Sequence, residues 1–210
     1  MAGAGINAPE APAWDAAQVA RWRRGERLRL RAARDALGVA ARQAWGRALM
    51  QHLGGLLADR IAAGVTVSAY WPINGEADLR PLLADLHHAG VRVALPVVEV
   101  KAAPLVFRRW HPGLRMERGD WGIPVPPAGA ERLTPDLSLV PVVGWDGAGY
   151  RLGYGGGYFD RTLAALAPRP FTIGVGLGSA RMASIRPQPH DIPLDLNLTE
   201  VGVTAEREGP

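Results

Sequence analysis

Val65-Thr66-Val67-Ser68-Ala69-Tyr70 and Val91-Arg92-Val93-Ala94-Leu95, with Leu79 to Ala89 between them, decide the fold. The outer segments are short and rich in β-branched residues, which suit a pleated, half-buried strand. The middle segment reads as a helix closed by Gly90. The pattern continues in both directions. Upstream, Trp14 to Ala36 reads as a basic amphipathic helix with Val19, Trp22, Leu30 and Leu37 inward, broken at Gly38. Val39 to Ala63 reads as a second helix, in which Trp45, Leu49, Leu53, Leu56 and Leu57 recur at helical spacing before a stop at Gly64. Downstream, Leu105 to Trp110, Leu137 to Val143 and Phe171 to Val175 read as strands, and Leu198 to Val203 as a final short one. Residues 111 to 135 hold most of the Pro and Gly between these elements and read as an ordered loop. Strands alternating with helices predict an α/β sheet with parallel stretches, where ligands gather beyond the carboxyl ends of strands. Trp71–Asp78 and Trp145–Tyr158 each follow a strand, so both are expected at one crevice.

Composition narrows the function classes. Hydrophobic residues make up 48% of the 210, enough to bury a core and to exclude wholesale disorder. No apolar run approaches a membrane span. Met1 to Pro12 lacks a basic region leading into an apolar stretch, so it reads as a flexible tail rather than a secretory signal, and the cytoplasm is the expected location. There is no cysteine, which removes disulfides, thiolate catalysis and Cys-ligated zinc. The five histidines form no metal pattern. Net charge is +4 and nearly all of the positive charge is arginine, a residue suited to bidentate phosphate and carboxylate recognition. Arg21, Arg23, Arg24, Arg27, Arg29, Arg31 and Arg34 crowd one stretch.

Arg151-Leu152-Gly153-Tyr154-Gly155-Gly156-Gly157-Tyr158-Phe159-Asp160-Arg161 is the segment richest in chemistry. Glycines at this density let a ligand approach the main chain, and loop N–H groups can converge on phosphate oxygens. The following Thr162 to Leu166 reads as a helix, whose N-terminus favours anions. Arg151 and Arg161 add positive charge, and Asp160 can ligate Mg²⁺. No Gly-Lys-Ser/Thr follows, and the glycine spacing is not that of the dinucleotide fingerprint. A glycine-rich hairpin without a ligand is the plain alternative.

This loop resembles the signature of the 5-formyltetrahydrofolate cyclo-ligase family, also called 5,10-methenyltetrahydrofolate synthetases. Further segments follow in the family's order: Arg23 with Arg27, Tyr70-Trp71-Pro72 through Gly75-Glu76-Ala77-Asp78, Leu95-Pro96, Trp121 to Pro126, His190 to Asp195, and Thr199-Glu200. The resemblance spans about Arg21 to Val203. It departs at Phe159, where the family usually has a second tyrosine, and at Arg181, commonly glutamine. It implies a three-layer α/β/α single domain around a mostly parallel sheet with an N-terminal basic helix. The expected boundaries are a tail at 1–13, the domain at 14–205 and a C-terminal tail at 206–210. It also implies ATP- and Mg²⁺-dependent cyclisation of 5-formyltetrahydrofolate, polyglutamated or not, by a monomer.

The site residues carried over are these. Arg23, Arg27, Arg151 and the loop Gly153, Tyr154, Gly155, Gly156, Gly157 and Tyr158 are expected at ATP. Arg151, Tyr158 and Asp160 are the expected catalytic group. Trp71, Glu76 and Trp121 are expected at the folate, with Glu76 pairing the amino-pyrimidine edge. Asp160 and Asp191 are the expected Mg²⁺ ligands. Competing readings are core packing for Trp71 and Trp121, turn capping for Asp191, and helix capping for Asp78. Arg29, Arg31 and Arg34 read as a solvated face. Two other functions stay open: an Arg-rich nucleic-acid binder, without a recognised motif, and a family member that binds folate without activity.

Overall fold

A computed structural model describes residues 14–206. The tail expected at 1–13 lies outside the described residues, as do residues 207–210 of the tail expected at 206–210; Glu206 instead ends the last strand. Asp15 opens the first helix, α1 (Ala16–Asp35), with a capping box: its carboxylate accepts the Gln18 N–H while Gln18 accepts the Asp15 N–H. Helix α2 (Val39–Ala58) ends five residues short of the expected stop. The intervening turn closes on the Leu57 carbonyl and delivers Gly64, whose N–H donates to Gly90 O, to the first strand.

The main sheet holds eight strands: β1 (Thr66–Ser68), β2 (Arg92–Val97), β3 (Val106–Arg109), β4 (Arg132–Leu133), β5 (Leu137–Pro141), β6 (Phe171–Val175), β7 (Leu196–Thr199) and β8 (Gly202–Glu206). Their spatial order is β8-β7-β6-β5-β1-β2-β3-β4. The five from β7 to β2 run parallel, and antiparallel strands finish both edges. The expected strand at 198–203 is instead a hairpin of β7 and β8 that turns at Glu200 and Val201. The expected loop at 111–135 contains β4 and a small hairpin of Glu117–Arg118 with Pro124–Val125.

Strand alternation loads both faces. Leu137 and Leu139 of β5, with Ile173 and Val175 of β6, meet α2 and α3 (Arg80–His88) in one cluster. Val140, on the opposite face of β5, joins Leu30 of α1 and Leu163 of α4 (Tyr158–Ala165) in a second. Helices therefore flank a mostly parallel sheet on both faces, as expected.

Topology fixes where a ligand can sit. From β1 the chain moves to β2 on one side, whereas β5, β6 and β7 extend on the other. The order reverses between β1 and β5, so loops leaving their carboxyl ends diverge and open a crevice.

Candidate active site

The crevice is a cavity of about 730 Å³. The loop after β1, the end of β2, the tip of the small hairpin, the glycine loop and the face of α1 all contribute walls. Trp71 to Glu76 and Arg151 to Asp160 thus face one another, as the positions of their strands require.

At one end lies the glycine loop. None of the N–H groups of residues 153 to 157 donates to a described residue, and Gly157, the N-cap of α4, provides no side-chain cap. A row of open amides leading into a helix N-terminus is suited to receiving an anion. Gly155 has φ +99°, and Gly156 is needed for space: a Cβ there would stand 2.7 Å from the Tyr158 ring. Arg27 crosses the loop, donating from Nε to Gly153 O at 2.7 Å, while neither of its terminal nitrogens has a described partner. Partial burial, then the charge of Arg23, lower its pKa without removing its charge.

Beneath the loop, Arg151 donates to Asp160 Oδ1 at 2.9 Å and to Ile192 O at 2.6 Å. The Ile192 N–H also donates to Asp160 Oδ1, at 3.1 Å, leaving Oδ2 with no described hydrogen bond. Asp191 is differently placed. Both its oxygens accept from Arg23, and Oδ2 also takes the Gln188 N–H at 2.6 Å. Burial pushes its pKa up, but the Arg23 bond and the Gln188 N–H outweigh that and leave it lowered. Arg23 is itself committed, donating to Ile185 O and Arg186 O as well.

At the other end, Glu76 accepts the Ile73 N–H on Oε2 and the Tyr154 hydroxyl on Oε1, at 2.9 and 2.7 Å. Burial raises its pKa. Trp121 sits at the hairpin tip with φ +54° and is 72% exposed, which rules out core packing. Its ring meets Tyr158 edge-on at 5.7 Å. Trp71 is half-buried between the core and the cavity, with the Arg80 guanidinium over its ring at 5.2 Å.

The model of the 5-formyltetrahydrofolate cyclo-ligase family matches residues 19–200. The chain belongs to the 5-formyltetrahydrofolate cyclo-ligase family. Membership makes it an enzyme, a ligase by class. A curated 5-formyltetrahydrofolate cyclo-ligase of Mycolicibacterium smegmatis is 34% identical over 183 residues, covering 83% of this chain and 92% of its own. That of Escherichia coli K12 is 37% identical over 103 residues, 47% of this chain and 57% of its own. The solved 5,10-methenyltetrahydrofolate synthetase of Aquifex aeolicus superposes with a TM-score of 0.77 at 29% identity, covering 90% of this chain and 94% of its own.

Set against this cyclo-ligase fold, every site residue expected from sequence lines the cavity. Their side chains divide the work unevenly. Arg23 and Asp191 spend their hydrogen bonds on each other and on the 185–188 loop, and Arg151 spends its own on Asp160 and Ile192. Asp78 is not the cap of α3, whose N-cap is Leu79 without a side-chain bond; from the position before it, Asp78 accepts the Arg80 N–H at 3.0 Å and pairs with the Arg80 guanidinium. The solvated face expected of Arg29, Arg31 and Arg34 holds only for Arg29: Arg31 is half-buried, with an Nε that lacks a partner among the described residues, and Arg34 is less exposed still. It is 5% exposed and donates to the Tyr154 hydroxyl. Its spacing from Arg27 on α1, seven residues or two turns, is the signal that would have placed it on the inward face. Arg23, Arg27 and Arg34 are turned inward, whereas Arg21, Arg24 and Arg29 stay exposed. Arg181 lies away from the cavity, with its guanidinium 5.8 Å from the Trp145 ring, so this departure from the family pattern does not touch the site.

Proposed function

We propose that the chain catalyses ATP- and Mg²⁺-dependent cyclisation of 5-formyltetrahydrofolate to 5,10-methenyltetrahydrofolate, releasing ADP and phosphate. One observation carries the reading. A single cavity joins an uncapped row of amides and a half-open carboxylate to a partly buried carboxylate, and Trp71 and Trp121 line the same cavity. A phosphate donor fits the first end and a pterin the second.

The formyl oxygen attacks the γ-phosphorus and ADP leaves. N10 then attacks the activated formyl carbon and loses its proton, and the C–O bond breaks as phosphate departs. The protein contributes position and charge rather than a covalent partner. The amides of residues 153 to 157 and the free nitrogens of Arg27 bind phosphate oxygens. Tyr158 sits between the phosphate loop and Trp121, where both substrates meet. Glu76 accepts from the amino-pyrimidine edge, and Trp71 and Trp121 supply flat apolar surface.

Among the described residues no three acidic or histidine side chains cluster as a cage. Mg²⁺ commonly takes one or two carboxylates with phosphates and water, and Asp160 Oδ2 fits that economy. The ion would neutralise phosphate charge there. Asp191 serves instead to hold Arg23, and Arg151 to aim Asp160. No helix among the described residues is long and apolar enough to cross a membrane, and we take the enzyme to be a cytoplasmic monomer.

The test uses substrate labelled with heavy oxygen at the formyl group. The proposed route transfers the label to inorganic phosphate. Label released as water, or retained in the folate, contradicts it.

A further inference from the structure

Tyr154 belongs to the phosphate loop by sequence, yet its side chain turns to the other end of the cavity. Its hydroxyl donates to Glu76 Oε1 at 2.7 Å and accepts from Arg34 Nη2 at 2.8 Å. Three distant segments, α1, the loop after β1 and the glycine loop, meet at this one oxygen. Arg34 has few alternatives: it is buried, and its Nε has no partner among the described residues. Arg31 lies over the Tyr154 ring, with its guanidinium 5.6 Å from the centroid.

The consequence falls on Glu76. Each of its oxygens takes one protein donor, Tyr154 on Oε1 and Ile73 on Oε2. A carboxylate offers about two acceptor sites per oxygen, so one remains on each. Two parallel acceptors in a fixed plane match the adjacent N–H donors of an amino-pyrimidine. Without Tyr154, Oε1 would lose its anchor and the carboxylate could rotate about its last torsion, which is broad for glutamate. Burial alone would favour the neutral acid, while the Ile73 and Tyr154 hydrogen bonds and the Arg34 charge oppose that.

We infer that Arg34 and Tyr154 are positioning residues for the folate: Arg34 aims the Tyr154 hydroxyl at Glu76 and thereby fixes the carboxylate that reads the pterin edge. The inference rests on the proposed folate site. It moves the Tyr154 side chain from the nucleotide to the folate, leaving only its backbone at the phosphates. It also gives the two ends of the cavity a shared residue.

The experiment titrates 5-formyltetrahydrofolate and ATP separately into the parent, Tyr154→Phe, Glu76→Gln and the double variant, with parent turnover measured alongside. Tyr154→Phe keeps the ring under Arg31 and removes only the hydroxyl. The folate Kd is expected to rise about tenfold, the scale of one hydrogen bond to a charged group, with the ATP Kd unchanged. The same substitution in the Glu76→Gln background is expected to add little, because the two act as a unit. Arg34→Met should follow Tyr154→Phe in direction. If Tyr154→Phe weakens ATP instead, leaves the folate Kd unchanged in an active enzyme, or adds fully to Glu76→Gln, the inference is overturned while the proposed function stands. A parent that neither binds nor turns over 5-formyltetrahydrofolate overturns both.

Discussion

The carboxyl of Asp160 takes Arg151 and the Ile192 N–H on one oxygen and presents the other to the cavity. Asp160→Asn keeps the size but removes the charge that an ion would meet. Its kcat is expected to fall on the order of 10²-fold or more, with little change in the folate Kd; equal turnover by the variant would remove Asp160 from the site. Glu76 carries a pH dependence. Burial raises its pKa above the ordinary value of 4.5, against Arg34, Tyr154 and the Ile73 N–H, with Tyr70 and Asp78 nearby. The folate contact proposed for Glu76 uses the ionised form, so affinity should weaken on acidification beginning above the ordinary Glu range. The folate Kd against pH checks this, and Glu76→Gln should flatten the profile. Most of these residues were legible in the sequence because glycine density and flanking charge are local signals. Arg34 groups by sequence with Arg29, which is exposed and paired with Glu26. Its two-turn spacing from Arg27 marks the inward face of α1, but its bond to Tyr154, 120 residues on, has no local signal.

Helix α1 is moored to the 185–191 loop by Arg23, which joins Ile185 O, Arg186 O and both oxygens of Asp191. The Arg186 guanidinium closes the mooring by stacking 3.6 Å from the Trp14 ring centroid. Side chains of the Arg23–Asp191 pair are each only 9% exposed. Arg23→Ala therefore leaves a buried, unpaired carboxylate, expected to cost about 3–5 kcal/mol in denaturant unfolding; a near-neutral result would mean that the loop re-solvates freely. Helices and parallel strands were legible from periodicity and β-branched runs, and β6 lies where its residues predict. The loop after β3 was not, because two-residue strands such as β4 leave no period to read.

Across the whole molecule, two clusters on opposite faces of one sheet hold the cavity walls in register. Leu49 of α2 is fully buried in the larger cluster, remote from the cavity lining. Leu49→Ala is expected to cost about 2–5 kcal/mol while leaving the Km for both substrates unchanged in the folded fraction. Asp191 sets part of the acid limit. Its folded pKa is lowered, so its stabilising contribution is full above the ordinary Asp value of 3.8 and is lost as pH falls through the folded value. Asp191→Asn should be less stable at neutral pH and should lose less on acidification. The alternation of strands and helices made the layers and the crevice readable from sequence. The division of labour inside the crevice depended on which side chains the folded chain had already paired. The most direct test of the account follows the near-ultraviolet absorbance of the methenyl product as 5-formyltetrahydrofolate, ATP and Mg²⁺ are omitted in turn. The account predicts a rise only when all three are present; folded protein that gives no rise, or one that needs no ATP, would contradict it.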